Sequence, residues 1–481
     1  MKNLKKIFAG FTALSIAGSF AACSSEEDPA ETTTAEITTT PAVTVEIKSE
    51  TLSSEAQEQI GNAADQLTGE LENKTIKWFS FYDPFHATTS GNTKALSLEL
   101  FETKYDGNIE YIQTTWENRF NDLSTKIIGG DGVDFIAGGD LDSFPRGVPN
   151  GQYQSFDQYM DWSNPLWAEQ QALNDQFRIG DNHYLICTQS TAYYGVMYNR
   201  STIEANGFDD PAELFEKGEW NWDTFKSMLT DFCDPDNAQY GLDGWFNEKP
   251  LMMSAGVPSV SLKDGKLTTN LKDPNLERAM NFMYDLNTSG LKYDMNLFGW
   301  TEHPENIGTG NELFYIGGLY TLESDPEIWT KTFGEQENVM FVPVPKDPNA
   351  DKHYVAAGLE AYLLCKGAQN PDGVMRFMEC VLVANADPQT QELAIEKRKN
   401  DFGWSDEMIE MYNKSVQLAR ENPVYDLCVG GPQDLADIVD SAEYGIRAAF
   451  AGTEWATVRD EVSDVAEIYI NEFNEQVAAM G

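Results

Sequence analysis

The sequence predicts an α/β protein folded as two lobes, and three observations predict it. Between residues 75 and 137, three short apolar or alternating runs are separated by two amphipathic helical patterns, the order that lays parallel strands under helices. Past the N-terminal segment about 400 residues remain, long for one hydrophobic core and suited to two. Residues 194–228 add a strand followed by three tightly capped helices. An aromatic content of 12% supplies sizeable cores and leaves rings over for a site.

Residues 1–22 read as a secretory leader: Lys2, Lys5 and Lys6, an uncharged stretch from Ile7, then small residues. The stretch is too short and wrongly flanked for a resident membrane helix. Phe20-Ala21-Ala22-Cys23 resembles a bacterial lipobox, which implies a diacylated Cys23 as the first residue of the mature chain. Two acyl chains meet the condition for stable anchoring, on the outer face of the cytoplasmic membrane. Residues 23–73 are expected to be a flexible tether. From 26 to 50 the composition is Thr, Glu, Ser, Ala and Pro with hardly an aromatic, which cannot bury enough apolar surface to fold. Residues 53–71 could add a polar helix, to which no role is assigned.

Residues 75–81 and 108–114 read as strands, as does 133–137. Leu98, Phe101 and Tyr105 mark a helix over 93–105, and Phe120, Leu123 and Ile127 mark another over 116–128. Ligands of such sheets settle at the carboxyl ends of the strands. That rule nominates Phe81, Tyr82, Asp83 and Pro84 after the first strand, and Gly138, Gly139, Asp140 and Asp142 after the third. Gly129-Gly130-Asp131-Gly132 has neither dinucleotide nor phosphate-loop spacing and precedes a strand, so it reads as a turn. Residues 177–186 suggest a hairpin around Gly180-Asp181-Asn182.

In residues 194–228, Asn199 caps a helix closed by Gly207. Asp210-Pro211 opens a second that ends at Gly218, with Glu213 completing a capping box, and Asn221 opens a third. Tyr198-Asn199, Gly207-Phe208, Asp210-Pro211 and the run from Trp220 to Phe225 together resemble the signature of bacterial extracellular solute-binding proteins, family 1. That resemblance implies the periplasmic-binding-protein type II fold, two α/β lobes joined by a multi-strand hinge around a ligand cleft. It also implies a carbohydrate ligand and the permease of an ABC importer as partners. The first crossing between lobes would lie near residue 190, so that Gln189, Ser190, Thr191 and Tyr193 border the cleft. Residues 310–320 resemble the family segment in which an aromatic follows a glycine-containing turn. The matching aromatic is Tyr320, where many relatives carry Trp.

Residues 354–364 look like the return crossing, with Gly358 and Glu360 on the rim. The lobes are then expected to comprise residues 74–190 with 356–425, and 191–355 with 426–481. Asp273-Pro274 opens a helix whose stripe is Leu276, Ala279, Met280 and Met283, and Pro371 opens another to about residue 383. Beyond 385, three helical stripes follow: Met408 to Val416, Leu435 to Ile446 and Val458 to Phe473.

The formal charge is −45, and loss of the three leader lysines makes it about −48, which repels nucleic acid and anionic lipid and makes both poor partners; no nucleic acid is expected to bind. Five cysteines follow Cys23 at wide spacings without CxxC, supporting neither a disulfide framework nor a zinc site. Aligned to a calcium loop, residues 234–244 put Ala238 where an oxygen ligand is required, so they read as a turn before a strand. No cofactor is read from the chain. The four histidines are scattered and no GxSxG occurs.

A sugar presents hydroxyls at its edge and apolar C–H faces, so its binder needs carboxylates and amides beside aromatic planes. Trp116, Trp245 and Trp300, which stand near acids in expected loops, are the further aromatic nominees. Trp220 and Trp222 are assigned to packing. The function expected is a lipid-anchored receptor that captures a carbohydrate, an oligosaccharide more than a monosaccharide, for ABC import. The alternatives are a cell-surface glycoside hydrolase, since 78 acidic residues supply many chance pairs, or a sugar-sensing or adhesion lipoprotein without transport.

Overall fold

The computed structural model describes residues 52–86, 94–244, 248–293, 301–324, 329 and 338–480. The leader, Cys23, the first part of the tether, Trp245 and Trp300 lie outside the described residues.

The first lobe is built on a mixed sheet. Strands β1 (Thr75–Ser80), β2 (Asn108–Gln113) and β3 (Phe135–Ala137) run parallel with β1 in the middle, as the alternation predicts. The helices Leu96–Tyr105 and Arg119–Gly129 supply the crossovers that parallel strands require. Strand β4 (Leu185–Ala192) enters later, and the sheet is completed by two strands numbered below. Trp78, Phe101, Phe135 and Phe377 are fully buried beneath it. Helix Pro371–Ala386 carries Phe377 and buries residues on all sides, which accounts for its nearly unbroken apolar sequence.

Helix Ser54–Ala64 corrects one expectation. Ser53 accepts a hydrogen bond from Ala56 N at 3.1 Å, and Ala56, Ile60, Ala63, Ala64 and Leu67 are buried, most of them against this core. The folded body therefore starts well before residue 74. Small alanines at helical spacing among polar residues carried the signal.

The second lobe follows one residue after β4. Strand β5 (Tyr194–Asn199) lies between β9 (Glu312–Gly318) and β10 (Val339–Val342), antiparallel to both, and β6 (Tyr240–Asp243) runs parallel to β9. Strands β7 (Val260–Lys263) and β8 (Lys266–Thr269) form a hairpin. The caps read from sequence are present. Asn199 accepts from Ser201 N, Asp210 from Ala212 N, and Asn221 from Asp223 N and Thr224 N, while Gly218 is left-handed at φ 73°. Trp220 donates to Pro343 O at 2.8 Å, and Trp222 stacks on Phe282 at 4.4 Å between centroids, so both pack the lobe as assigned.

Strand β11 (Val355–Leu364) brings the chain back. It runs antiparallel to β3 and β4, and its first residues pair with β12 (Pro423–Val424). The chain thus passes between the sheets at Tyr193, between β10 and β11, and again after β12, where Ser259 N donates to Asp426 at 2.8 Å. Two expectations beyond residue 385 differ from what is seen. Helix Pro388–Phe402, capped by Asp387, buries only Thr390 fully and so had no apolar stripe to reveal it. The single stripe from Leu435 to Ile446 is two helices, Gln433–Val439 and Ile446–Phe450. Ser441 accepts from Glu443 N and Tyr444 N between them, offering the backbone a local alternative to the helix.

Candidate functional site

Strand ends from both sheets meet near the crossings. From the first lobe come Phe81 and Tyr82 after β1, and Asp140 and Asp142 after β3. The crossing itself contributes Tyr193 and Tyr194, β9 is followed by Tyr320, and β11 carries Glu360. Tyr82, Trp116 and Tyr320 are 43%, 46% and 48% exposed, unusual for rings of this size and suited to meeting something from solution.

Two aromatic groups can be distinguished. Phe81 lies 4.8 Å from Tyr82 and 5.0 Å from Trp116, edge-on to the latter. The Arg119 guanidinium lies 3.5 Å above the Trp116 ring and pairs with Asp142. Arg119 opens a helix, where a cation opposes the helix dipole, and the ring and carboxylate offset that cost. In the second group, Tyr193 lies 4.7 Å from Tyr194 and 5.8 Å from Tyr320. The Tyr193 hydroxyl donates to Asp140 Oδ1 at 3.2 Å. Gly318 makes room for the Tyr320 ring, since a Cβ there would lie 2.1 Å from Tyr320 Cε1.

The site is acidic. Desolvation, then the neighbouring Asp142, pushes the Asp140 carboxyl above its usual range. Desolvation and Asp140 likewise raise the phenols of Tyr82, Tyr193, Tyr194 and Tyr320. Glu360 is raised by burial, which the donors Thr188, Asn385, Gln189 and Tyr362 oppose. Thr188 Oγ1 is 2.8 Å and Gln189 Nε2 3.2 Å from its Oε2. A cavity of about 30 Å³ lies among Phe79, Phe81, Tyr82, Arg119, Asp140 and Asp142. It has room for a water or two, so a larger guest must extend beyond it.

The structure thus gathers Phe81, Tyr82, Trp116, Asp140, Asp142, Tyr193, Tyr320 and Glu360 of the nominated residues; Asp83, Gly139 and Gln189 have other work, and Trp245 and Trp300 lie outside the described residues. Asp83 turns into its own loop, accepting from Phe85 N at 3.0 Å and from His86 Nδ1 at 2.7 Å, which holds its carboxyl below the usual range against the opposing desolvation. Gly139 is a close approach: a Cβ there would sit 2.1 Å from Leu359 O. Gln189 is shared between Glu360 and Arg420, whose Nη2 donates to it at 3.0 Å. Arg119 and Tyr194 were not nominated. An arginine in the first helical turn, three residues after Trp116, was the available signal for the former, and the Tyr193-Tyr194 doublet for the latter.

Residues 87–386, more than half the chain, match the family profile described as bacterial extracellular solute-binding protein. No curated protein sequence matches. Among solved structures, the cyclic α-maltosyl-1,6-maltose binding protein of Arthrobacter globiformis is 13% identical, with 84% of this chain and 100% of that one covered at a TM-score of 0.60. A sugar transporter of Rhizobium etli in an open conformation is 16% identical over 82% and 99% of the two chains, TM-score 0.59. An ABC substrate-binding protein of Listeria monocytogenes in complex with cycloalternan is 14% identical over 82% and 99%, TM-score 0.57. At these identities the likeness establishes the fold: two α/β lobes of the periplasmic-binding-protein type II class with a cleft between them.

Proposed function

Because this chain belongs to the bacterial extracellular solute-binding protein family, we propose that it captures a carbohydrate, an oligosaccharide, and delivers it to the permease of an ABC importer. The family is one of binding proteins for transport, so the chain is not an enzyme, and the glycoside hydrolase alternative falls. The observation that carries the ligand class is the meeting of exposed rings with acids at the strand ends, around Tyr82, Trp116, Tyr193, Tyr320 and Asp140. Rings take the C–H faces of a sugar and carboxylates take its hydroxyls. Neighbours that bind a cyclic maltosyl-maltose and cycloalternan agree with this reading.

In this reading, residues 53–190 with 356–425 close against 191–355 with 426–481. Binding energy selects the closed arrangement because only there do both walls touch the guest. A dissociation constant near micromolar, about −8 kcal/mol, suits capture followed by release. The protein is exported, and acylated Cys23 holds it on the outer face of the cytoplasmic membrane.

A panel of linear and cyclic oligosaccharides tests the reading by thermal shift, since a ligand bound only by the folded chain raises its melting temperature. The expected result is a dose-dependent rise for one sugar class, with the sugar recovered intact. No shift across the panel, or new reducing ends, refutes it. Cys23→Ser should move the protein from the membrane fraction to the medium, and retention on the membrane would refute the anchor.

A further inference from the structure

The carboxylates of this site differ in what partners them. Asp142 is paired with Arg119. Glu360 accepts from Thr188, Gln189 and Asn385. Lys249, the other cation acting on Asp140, lies 4.0 Å from Asp440. Among the described residues Asp140 has no lysine or arginine pairing with it and takes one hydrogen bond, from the Tyr193 hydroxyl at 3.2 Å. The surroundings of Asp140 are rings. Tyr193 sits against Tyr194 at 4.7 Å and Tyr320 at 5.8 Å, and the charge of Asp140 acts on all three phenols. Glu248 and Asp426 add negative charge on the Tyr194 side.

A carboxylate beside a cluster of tyrosine rings, with no cation hydrogen-bonded to it among the described residues, is an environment that takes a positive group: the acid supplies charge and a ring face can add cation–π attraction. A neutral sugar can use the same carboxylate and rings through its hydroxyls and C–H faces, but only a protonated amine adds charge attraction to both. An anionic sugar would meet repulsion from Asp140 and Asp142 together. Asp140 is also reachable by solvent, so a guest can reach it.

We propose that the captured solute is a basic carbohydrate, and that its protonated amine sits between the Asp140 carboxylate and the rings of Tyr193, Tyr194 and Tyr320. This rests on the carbohydrate reading above and narrows it to amine-bearing sugars.

Two matched pairs test it by calorimetry on the purified full chain: chitosan tetraose against cellotetraose, and acarbose against maltotetraose. In at least one pair the amine should bind at least tenfold tighter than its neutral counterpart. Added salt should erode that advantage while sparing the neutral sugar. Asp140→Asn should abolish the advantage, weakening the amine at least tenfold more than its neutral partner, with the unliganded melt little changed. Should that variant not fold, the salt dependence of the wild-type preference decides the matter alone. Neutral sugars binding as tightly as the amines in both pairs, or Asp140→Asn weakening both members equally, would overturn the proposal while leaving carbohydrate capture intact. If no amine binds the proposal is likewise overturned; if no sugar of the wider panel binds either, the functional reading goes with it.

Discussion

Replacing Tyr320 by alanine separates a ligand platform from a packing residue. The ring is 48% exposed, so of the roughly 200 Å² that a tyrosine offers, about 100 Å² faces solvent. At about 25 cal/mol per Å², full coverage by a sugar is worth about 2.5 kcal/mol, and coverage of one face alone about 1.2 kcal/mol. The dissociation constant of the best oligosaccharide should therefore rise roughly eight- to seventy-fold. The fold loses little: one ring contact with Tyr193 at 5.8 Å, worth about 0.5 to 1 kcal/mol, and a lid over Gly318. That corresponds to a fall of about 2 °C or less in the unliganded melt. Calorimetry gives the first quantity and a thermal melt the second. Tyr320→Phe and Tyr320→Trp keep a flat face and should bind within about threefold of wild type. An unaltered affinity in the alanine variant, or an unliganded melt lowered by more than about 5 °C, would refute the assignment.

Two other outcomes follow from buried groups. Glu312 is fully buried with neither carboxylate oxygen hydrogen-bonded, and burial, then Asp243 and Glu305, raises its pKa well above the usual value. Between its unfolded and folded pKa the native chain holds an extra proton. Its contribution is thus present below the unfolded value and lost as pH rises, by up to about 1.4 kcal/mol per unit. Glu312→Gln should accordingly gain on wild type in denaturation midpoints between pH 5 and pH 8, and parallel pH profiles would refute the protonated state. Gly139→Ala forces a Cβ to 2.1 Å from Leu359 O, so it should cost about 1 to 3 kcal/mol of stability, read by urea denaturation. A neutral effect there would mean that the β3–β11 contact yields easily.

The legible parts of this chain are those whose physics is local. Asn199, Asp210 and Asn221 cap the helices they were read to cap, because a side-chain oxygen two or three residues from an orphan N–H needs no help from elsewhere. Gly218 and Gly130 sit left-handed where helices end, because without a Cβ that conformation costs them little. Parallel pairing of β1 with β2 and β3 was readable from strand-helix alternation. Helix Pro388–Phe402 was not, since its exposed faces carry no apolar period, and the break at Ser441 depended on a hydroxyl choosing backbone over solvent.

The sequence by itself determined the α/β class, the order of its elements and the residues available at strand ends, since periodicity, caps and turns act over a few residues. Only the tertiary structure decided which of those residues work together. Asp83 and Asp140 both follow a strand in the same sheet, but only Asp83 has its partners within its own loop. Asp83 is taken up by His86 in its own loop, while Asp140 meets Tyr193 from 53 residues away. Which acid remains available to a guest depends on contacts that exist only once β4, β5 and β9 have brought their ends together.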